Sequence, residues 1–300
     1  MGLANLSERG LTKGDIRELL GSDSSSPKRS LGQNFLVDAS FARKVAAACV
    51  GDETGTILEI GPGFGSLTLH LASMVEEVVA IEKDDAVSRK LKEICASRSI
   101  TNVTVSNEDA LQIDYAVRMR DIDSKVIVGN LPYNISVPLI LKIVSESDGV
   151  VDRCAFMVQK EVAQRLSCDP GGRNSSFTSL KRAFYASARI LFDVPPSVFF
   201  PEPNVTSAIV EFQSDRSLPG FTHQQEAELS LLIAKVAFGN RRQMLRRTLR
   251  EYVDVLGESK VDSTKRPEAL EIAEWLAIGV AASNLGLEAI HFGSSSKEPL

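Results

Sequence analysis

The first two-thirds of the chain alternates short apolar runs with segments of helical apolar spacing. Thr56-Ile57-Leu58-Glu59-Ile60 is the first clear run. Val78-Val79-Ala80-Ile81, Val103-Thr104-Val105 and Val126-Ile127-Val128 follow, with later runs over 154–158 and 208–212. Val- and Ile-rich strands alternating with helices predict a mostly parallel sheet covered on both faces, an α/β class. Helices are expected over 40–50 and 66–74, and a short polar helix within 1–21, followed by a flexible break at 23–27. After residue 214 the strand pattern stops, and helices are expected over 224–238, 241–256 and 267–282. The chain thus reads as an N-terminal extension (1–27), an α/β domain (28–214) and a small helical domain (215–300).

Ligands of such sheets sit at the carboxyl ends of the strands. Gly61, Glu82, Asp109 and Asn130 each lie at or just past a predicted strand end, so they converge on one edge. Gly61-Pro62-Gly63-Phe64-Gly65 joins a strand to a helix, where glycine permits a tight turn and close approach of backbone N–H groups to a ligand. A plain tight turn would look the same. Glu82, 21 residues after Gly61 and ending the next strand, changes the balance, because a carboxylate there can accept both hydroxyls of a ribose. The dinucleotide fingerprint needs a third glycine where this chain has Ser66, which disfavours a pyrophosphate ligand and a dehydrogenase. S-adenosylmethionine, an adenosine without phosphate, fits better. Asp109 suits either an acceptor for the adenine amine or a helix N-cap.

Asn130-Leu131-Pro132-Tyr133 follows the fourth run. The exocyclic amine of adenine is a poor nucleophile because its lone pair is delocalised into the ring. The Asn130 amide oxygen and a carbonyl of Leu131 or Pro132 could hold both amine hydrogens and turn the lone pair toward a methyl donor. Tyr133 offers a face for a flipped base.

Composition alters the picture through charge. The 300 residues carry a net charge of −5, which by itself argues against a nucleic-acid partner. The sum hides a partition: residues 1–152 hold 16 bases and 22 acids, 153–250 hold 14 and 8, and 251–300 hold 4 and 9. The basic middle contains Lys235, Arg241, Arg242, Arg246, Arg247 and Arg250 without an intervening acid. On one continuous helix, 242, 246 and 250 would form a stripe whose repulsion phosphates would relieve. A second acid-free stretch carries Arg173, Lys181, Arg182 and Arg189. Four scattered cysteines and three scattered histidines predict neither a disulfide framework nor a metal site. No apolar run is long enough to span a membrane and no signal-peptide core is visible, so a cytoplasmic protein is expected. A monomer is the working expectation, and nothing in the sequence fixes the oligomeric state.

Gly32-Gln33-Asn34-Phe35-Leu36, Glu59-Ile60-Gly61-Pro62-Gly63, the run Asn130 to Ser136, the run Val194 to Phe199 and Pro201-Glu202-Pro203-Asn204-Val205 occur in one order. In that order the chain resembles the small-subunit ribosomal RNA adenine N6,N6-dimethyltransferases of the KsgA type, over about residues 28–282. The resemblance implies a class I S-adenosylmethionine-dependent methyltransferase domain followed by a small helical domain. It implies dimethylation of two adjacent adenosines in the 3′-terminal hairpin of small-subunit rRNA, with the immature small ribosomal subunit as partner and no metal. By the family pattern Asn34, Leu36, Gly61, Gly63, Glu82, Asp109 and Asn130 would line the donor site, and Tyr133 and Phe199 would sandwich the target base. Arg241, Arg242, Arg246 and Arg247 would contact RNA. The chain departs from the pattern at 175–179 and 240–243. Two rival readings remain: a large-subunit rRNA adenine methyltransferase of the macrolide-resistance type, and a non-catalytic ribosome assembly factor.

Overall fold

Strands buried on both faces dictate the central layer. The computed structural model describes residues 10–21, 34–147 and 149–288. Gly32 and Gln33 of the first motif, most of the expected extension and the end of the acidic tail lie outside the described residues. Among the described residues there are nine strands: β1 Phe35–Leu36, β2 Thr56–Ile60, β3 Glu77–Glu82, β4 Val103–Asn107, β5 Val126–Asn130, β6 Arg153–Gln159, β7 Ala186–Val194, β8 Phe199–Phe200 and β9 Ser207–Ser214. Seven form one sheet in the order β4-β3-β2-β5-β6-β9-β7, while β1 and β8 make a separate antiparallel pair. The five central strands run parallel and β9 pairs antiparallel to β6. Parallel strands joined through helices place β2, β3, β4 and β5 with their carboxyl ends on one edge. The sequence pattern missed β7, whose mixed exposure along the sheet edge gives no period-two signal.

The chain divides into two compact units, Met1–Gln164 with Arg189–Ser214, and Arg165–Ala188 with Asp215–Leu300. Residues 165–188 therefore leave the α/β part in which the sequence reading kept them. Leu180 and Phe184 explain this, because both are buried in the helical core.

In the first unit the helix Ala39–Val50 lays Val45, Ala46 and Cys49 on Val126, Val128, Ala155 and Met157. Asp38 caps its N-terminus by accepting the Phe41 N–H at 2.9 Å. At its other end the Arg153 guanidinium donates to the carbonyls of Ala48 (2.7 Å), Cys49 and Val50 (3.1 Å). Those are the orphan acceptors every helix leaves at its C-terminus. Glu211 holds Arg153 at 2.7 Å and also takes Arg189.

In the second unit the helices Gln224–Gly239 and Ile272–Asn284 pack around Trp275, which stacks on Phe238 at 5.8 Å. The expected helix over 241–256 is replaced by the one-turn helix Leu245–Thr248, a 3₁₀ turn Arg250–Tyr252 and the helix Val253–Ser259. Tertiary bonds break it: the Leu245 and Arg246 N–H groups donate to the carbonyls of Lys265 and Ser263, and Leu245 and Leu249 are buried.

Candidate active site

The parallel edge holds a cavity of about 540 Å³. Its walls include Asn34, Phe35 and Leu36 of β1, the glycine turn, Glu82, Asp109 and the segment Asn130 to Ile135, with Asn34 lying just before the strand. All seven residues assigned to the donor site (Asn34, Leu36, Gly61, Gly63, Glu82, Asp109, Asn130) thus lie on one wall or another of a single cavity. Its size suits a nucleoside-sized ligand, within the roughly 300–1,000 Å³ usual for small-molecule sites.

Each wall has a local cause. Gly61 and Gly63 have φ of +68° and +57°, a region closed to most side chains. A Cβ on Gly63 would also come within 3.2 Å of the Phe35 ring. Glu82 is buried at the end of β3, where one carboxylate oxygen accepts the Gly63 N–H (3.2 Å) and the other the Asp84 N–H (2.9 Å). It therefore braces the turn it was expected to complement. Burial lifts its pKa above the ordinary carboxylate range, and the two backbone donors oppose that rise.

Asp109 turns out to be an N-cap, accepting the Leu111 N–H at 3.0 Å, and it also pairs with Lys83 at 2.7 Å. The Lys83 hydrogen bond holds its carboxyl below the usual range. A cap and a cavity wall are not exclusive, since each carboxylate oxygen has a second lone pair.

Asn130 ends β5, and its side-chain NH₂ donates to the Asn34 carbonyl at 3.1 Å. Leu131 is held by its N–H to the Met157 carbonyl (3.2 Å), and the Pro132 carbonyl accepts the Ile135 N–H (3.2 Å). Of the two carbonyls left open by the sequence, Leu131 is the one not engaged by that turn. The Tyr133 hydroxyl lies 2.9 Å from Ser207 Oγ on β9, which fixes the direction of the ring. Burial raises its pKa.

Phe199 does not line this cavity. It is 3% exposed, pairs in register with Leu36 and packs in the core with Leu36, Val194 and Val198. The ring expected to sandwich a base lies in that core. Two other residues on the walls were not expected. Glu59, 1% exposed within β2, keeps Oε2 without a partner among the described residues, as does Ser66 its Oγ. Burial, with Glu82 nearby, pushes the Glu59 pKa up to about 8. The signal for it in the sequence was an acid in mid-strand among apolar neighbours.

The arginines divide into two groups. Arg241, Arg242, Arg246 and Arg247 are exposed, though not on one helix, so the expected stripe does not exist as drawn. Arg182 is buried away from any ligand, and Arg189, though exposed, is paired with an acid. Arg182 is 2% exposed and donates to the carbonyls of Leu166, Cys168 and Ala186, and Arg189 pairs with Glu211. Among the described residues no His, Cys, Asp and Glu cluster could hold a metal ion, and no helix is long and apolar enough to cross a membrane.

Comparison with known proteins is consistent with this geometry. The profile of a family described as ribosomal RNA adenine dimethylase matches residues 24–279. Ribosomal RNA small subunit methyltransferase A of Magnetococcus marinus is 36% identical over 267 residues, covering 87% of this chain and 94% of that protein. Its counterpart from Acidothermus cellulolyticus is 36% identical over 277 residues, with coverage of 89% and 93%. Among solved structures, a dimethyladenosine transferase from Plasmodium falciparum superposes with a TM-score of 0.70 at 22% identity, covering 85% of this chain and 99% of that one. The 23S rRNA methyltransferase ErmE gives 0.60 at 20% identity, with coverage of 83% and 99%. At those identities the two structures speak to the fold alone.

Proposed function

Because the chain belongs to the ribosomal RNA adenine dimethylase family, we propose that it methylates N6 of two adjacent adenosines in the 3′-terminal hairpin of small-subunit rRNA, with S-adenosylmethionine as donor. The fold is that of a class I methyltransferase, α/β with a mostly parallel sheet, joined to a small helical unit. The observation that carries the reading is the Asn130–Asn34 hydrogen bond between two residues of the cavity wall. It commits the NH₂ side of the amide to protein and leaves the Oδ1 side for a substrate amine.

The cavity fits the donor by its own chemistry. Glu82 offers carboxylate lone pairs to ribose hydroxyls, Asp109 offers an acceptor to an adenine amine, and the buried Ser66 Oγ and Glu59 Oε2 are polar atoms in want of partners. S-adenosylmethionine supplies an electrophilic sulfonium methyl. The chain supplies position: Asn130 Oδ1 and the Leu131 carbonyl hold the two amine hydrogens, and Tyr133 gives the adenine a face. Holding a nucleophile in line is worth a large part of the barrier to such a transfer. No general base is required, because the methylated amine is acidic enough to lose its proton to water. Exposed Arg241, Arg242, Arg246 and Arg247 would contact RNA phosphates. The large-subunit alternative rests on fold likeness alone, and the relatives matched over most of the chain carry small-subunit names.

The test is mass spectrometry of rRNA after incubation of small ribosomal subunits, and separately of large-subunit RNA, with the protein and labelled donor. N6,N6-dimethyladenosine in the 3′-terminal hairpin of small-subunit rRNA is expected. Label confined to large-subunit RNA, or none, would refute the assignment.

A further inference from the structure

The helix Lys13–Gly21 lies before residue 24, where the family match begins. It is nonetheless built into the first unit. Leu11 and Ile16 are buried with Phe35, Phe64, Leu69 and Val87, and Phe35 is itself a wall of the cavity. Thr12 caps the helix through reciprocal bonds with Asp15, at 2.7 Å from the Thr12 N–H and 3.3 Å back from the Asp15 N–H. A capped helix therefore packs with Phe35, a residue of the cavity wall.

What this helix presents is two cations on one ring. Lys13 Nζ lies 5.2 Å and the Arg17 guanidinium carbon 5.1 Å from the Phe200 ring centroid. Both side chains belong to exposed residues, and neither makes an ion pair among the described residues. The one carboxylate of the first helical turn, Asp15, is occupied by Thr12. Like charges at i and i+4 repel along a helix, by a few tenths of a kcal/mol. An aromatic face attracts each cation but does not neutralise it. Phe200 is paired in register with Phe35, so these charges stand beside the cavity's β1 wall.

We infer that Lys13 and Arg17 form a phosphate-binding pair that grips the RNA backbone next to the adenosine being methylated. This rests on the rRNA reading above and adds to it a site outside the family-matched segment. Phe200 holds both cations at a fixed place, which lowers the entropy lost when a phosphate is bound. The pair would act on RNA affinity and on the register of the target nucleotide, and not on the donor.

The experiment measures binding of a 3′-terminal hairpin RNA by fluorescence anisotropy from 50 to 200 mM salt, with donor affinity and thermal unfolding measured alongside. The double variant Lys13→Gln, Arg17→Gln keeps good helix formers and removes both charges. Loss of two single-strand phosphate contacts should lower the slope of log affinity against log salt by about 1.4. Over that fourfold salt range the variant should therefore lose about sevenfold less affinity than the parent. Donor affinity and melting temperature should not change, and Arg17→Lys should keep the parental slope. A double-variant slope equal to the parent's overturns the inference while leaving the rRNA reading intact. Weakened donor binding or a lowered melting temperature, with no change in slope, also overturns it, since the helix would then act only as a brace. A parent protein that fails to bind the hairpin at all overturns both.

Discussion

The Asn130 side chain reaches across 96 positions of sequence to donate to the backbone carbonyl of Asn34 at 3.1 Å. One amide thereby receives its orientation from a different motif. Asn130 stands at the end of β5 because Gly129 beneath it packs against β2, where a Cβ would lie 2.4 Å from the Ile60 carbonyl oxygen. Two strands can approach closely only at such a residue, and that approach brings the Asn130 segment beside the glycine turn.

Replacing Asn130 with Ala should lower methyl transfer by about a hundredfold or more, since the amine loses one of its two positioning acceptors. Donor affinity should fall much less. Asn130→Asp is a sharper probe: it keeps an acceptor but sets a carboxylate against the Asn34 carbonyl, so activity should drop without loss of fold. Single-turnover rates with donor affinity from calorimetry check both. Parental rates for Asn130→Ala would remove the assigned role.

Glu82→Ala should weaken donor binding about ten- to hundredfold. It removes a carboxylate that would accept from ribose and that now accepts from Gly63 and Asp84, and hydrogen bonds to charged groups are worth about 1.5–3 kcal/mol each. Glu82→Gln, which keeps one acceptor, should fall between. Equal affinities for parent and Ala variants in a titration would place the ribose elsewhere.

Glu59 makes stability depend on pH in a stated direction. Its folded pKa of about 8 lies above the ordinary 4.5, so the folded chain holds a proton that the unfolded chain releases across that interval. Its contribution is complete below about pH 4.5 and is lost as pH rises through about 8, by an amount on the order of a few kcal/mol. Glu59→Gln imitates the protonated form, so it should flatten the stability profile between pH 5 and 8 and raise the melting temperature at the alkaline end. Denaturant melts of both proteins at pH 5, 6.5 and 8 provide the check. Parallel profiles would show that Glu59 is ionised when folded.

Much of the site was legible because it depends on backbone turns that particular residues dictate. Gly61, Gly63, Glu82, Asp109 and Asn130 all sit at strand ends that the apolar runs announce. What the sequence concealed was chosen by tertiary contacts. Phe199 is buried in the core with Leu36, its in-register partner in β1, and nothing in its local pattern signals that partner. The helix expected over 241–256 breaks because the first N–H groups of its basic turn bond to Ser263 and Lys265. Arg153, Arg182 and Arg189 count as positive charge in composition, yet Arg153 and Arg182 cap backbone carbonyls and Arg153 and Arg189 share Glu211.

In the second unit a Cβ on Gly279 would lie 1.9 Å from the Glu226 carbonyl oxygen. The helices Gln224–Gly239 and Ile272–Asn284 approach this closely where Ser230 Oγ also bonds the Trp275 carbonyl at 2.7 Å. Gly279→Ala should therefore cost about 1–3 kcal/mol or more by overpacking. Differential scanning calorimetry should show an earlier transition, while donor affinity, which belongs to the first unit, stays at the parental value. An unchanged melt would mean that the helices can part at no cost.

Arg242 and Arg246 remain exposed although the continuous helix proposed to align them is absent. Arg242 lies in the turn that follows the helix Gln224–Gly239, and Arg246 in the one-turn helix Leu245–Thr248. Leu245 and Leu249 anchor that short helix in the core, so Arg246 is carried on a fixed base and not on a frayed loop, while Arg242 sits in the turn before it. Their function then depends on charge and not on helical phase. Arg242→Glu with Arg246→Glu should weaken RNA binding and reduce its salt dependence by more than simple neutralisation, because each reversal replaces a phosphate contact with repulsion. Donor binding and the melting temperature should be unaffected, since both positions are solvent-facing. Anisotropy titrations over a salt series, alongside the neutral pair Arg242→Gln with Arg246→Gln, separate the two contributions. If the reversed pair binds hairpin RNA as tightly as the parent, the contact surface assigned to this basic segment is wrong.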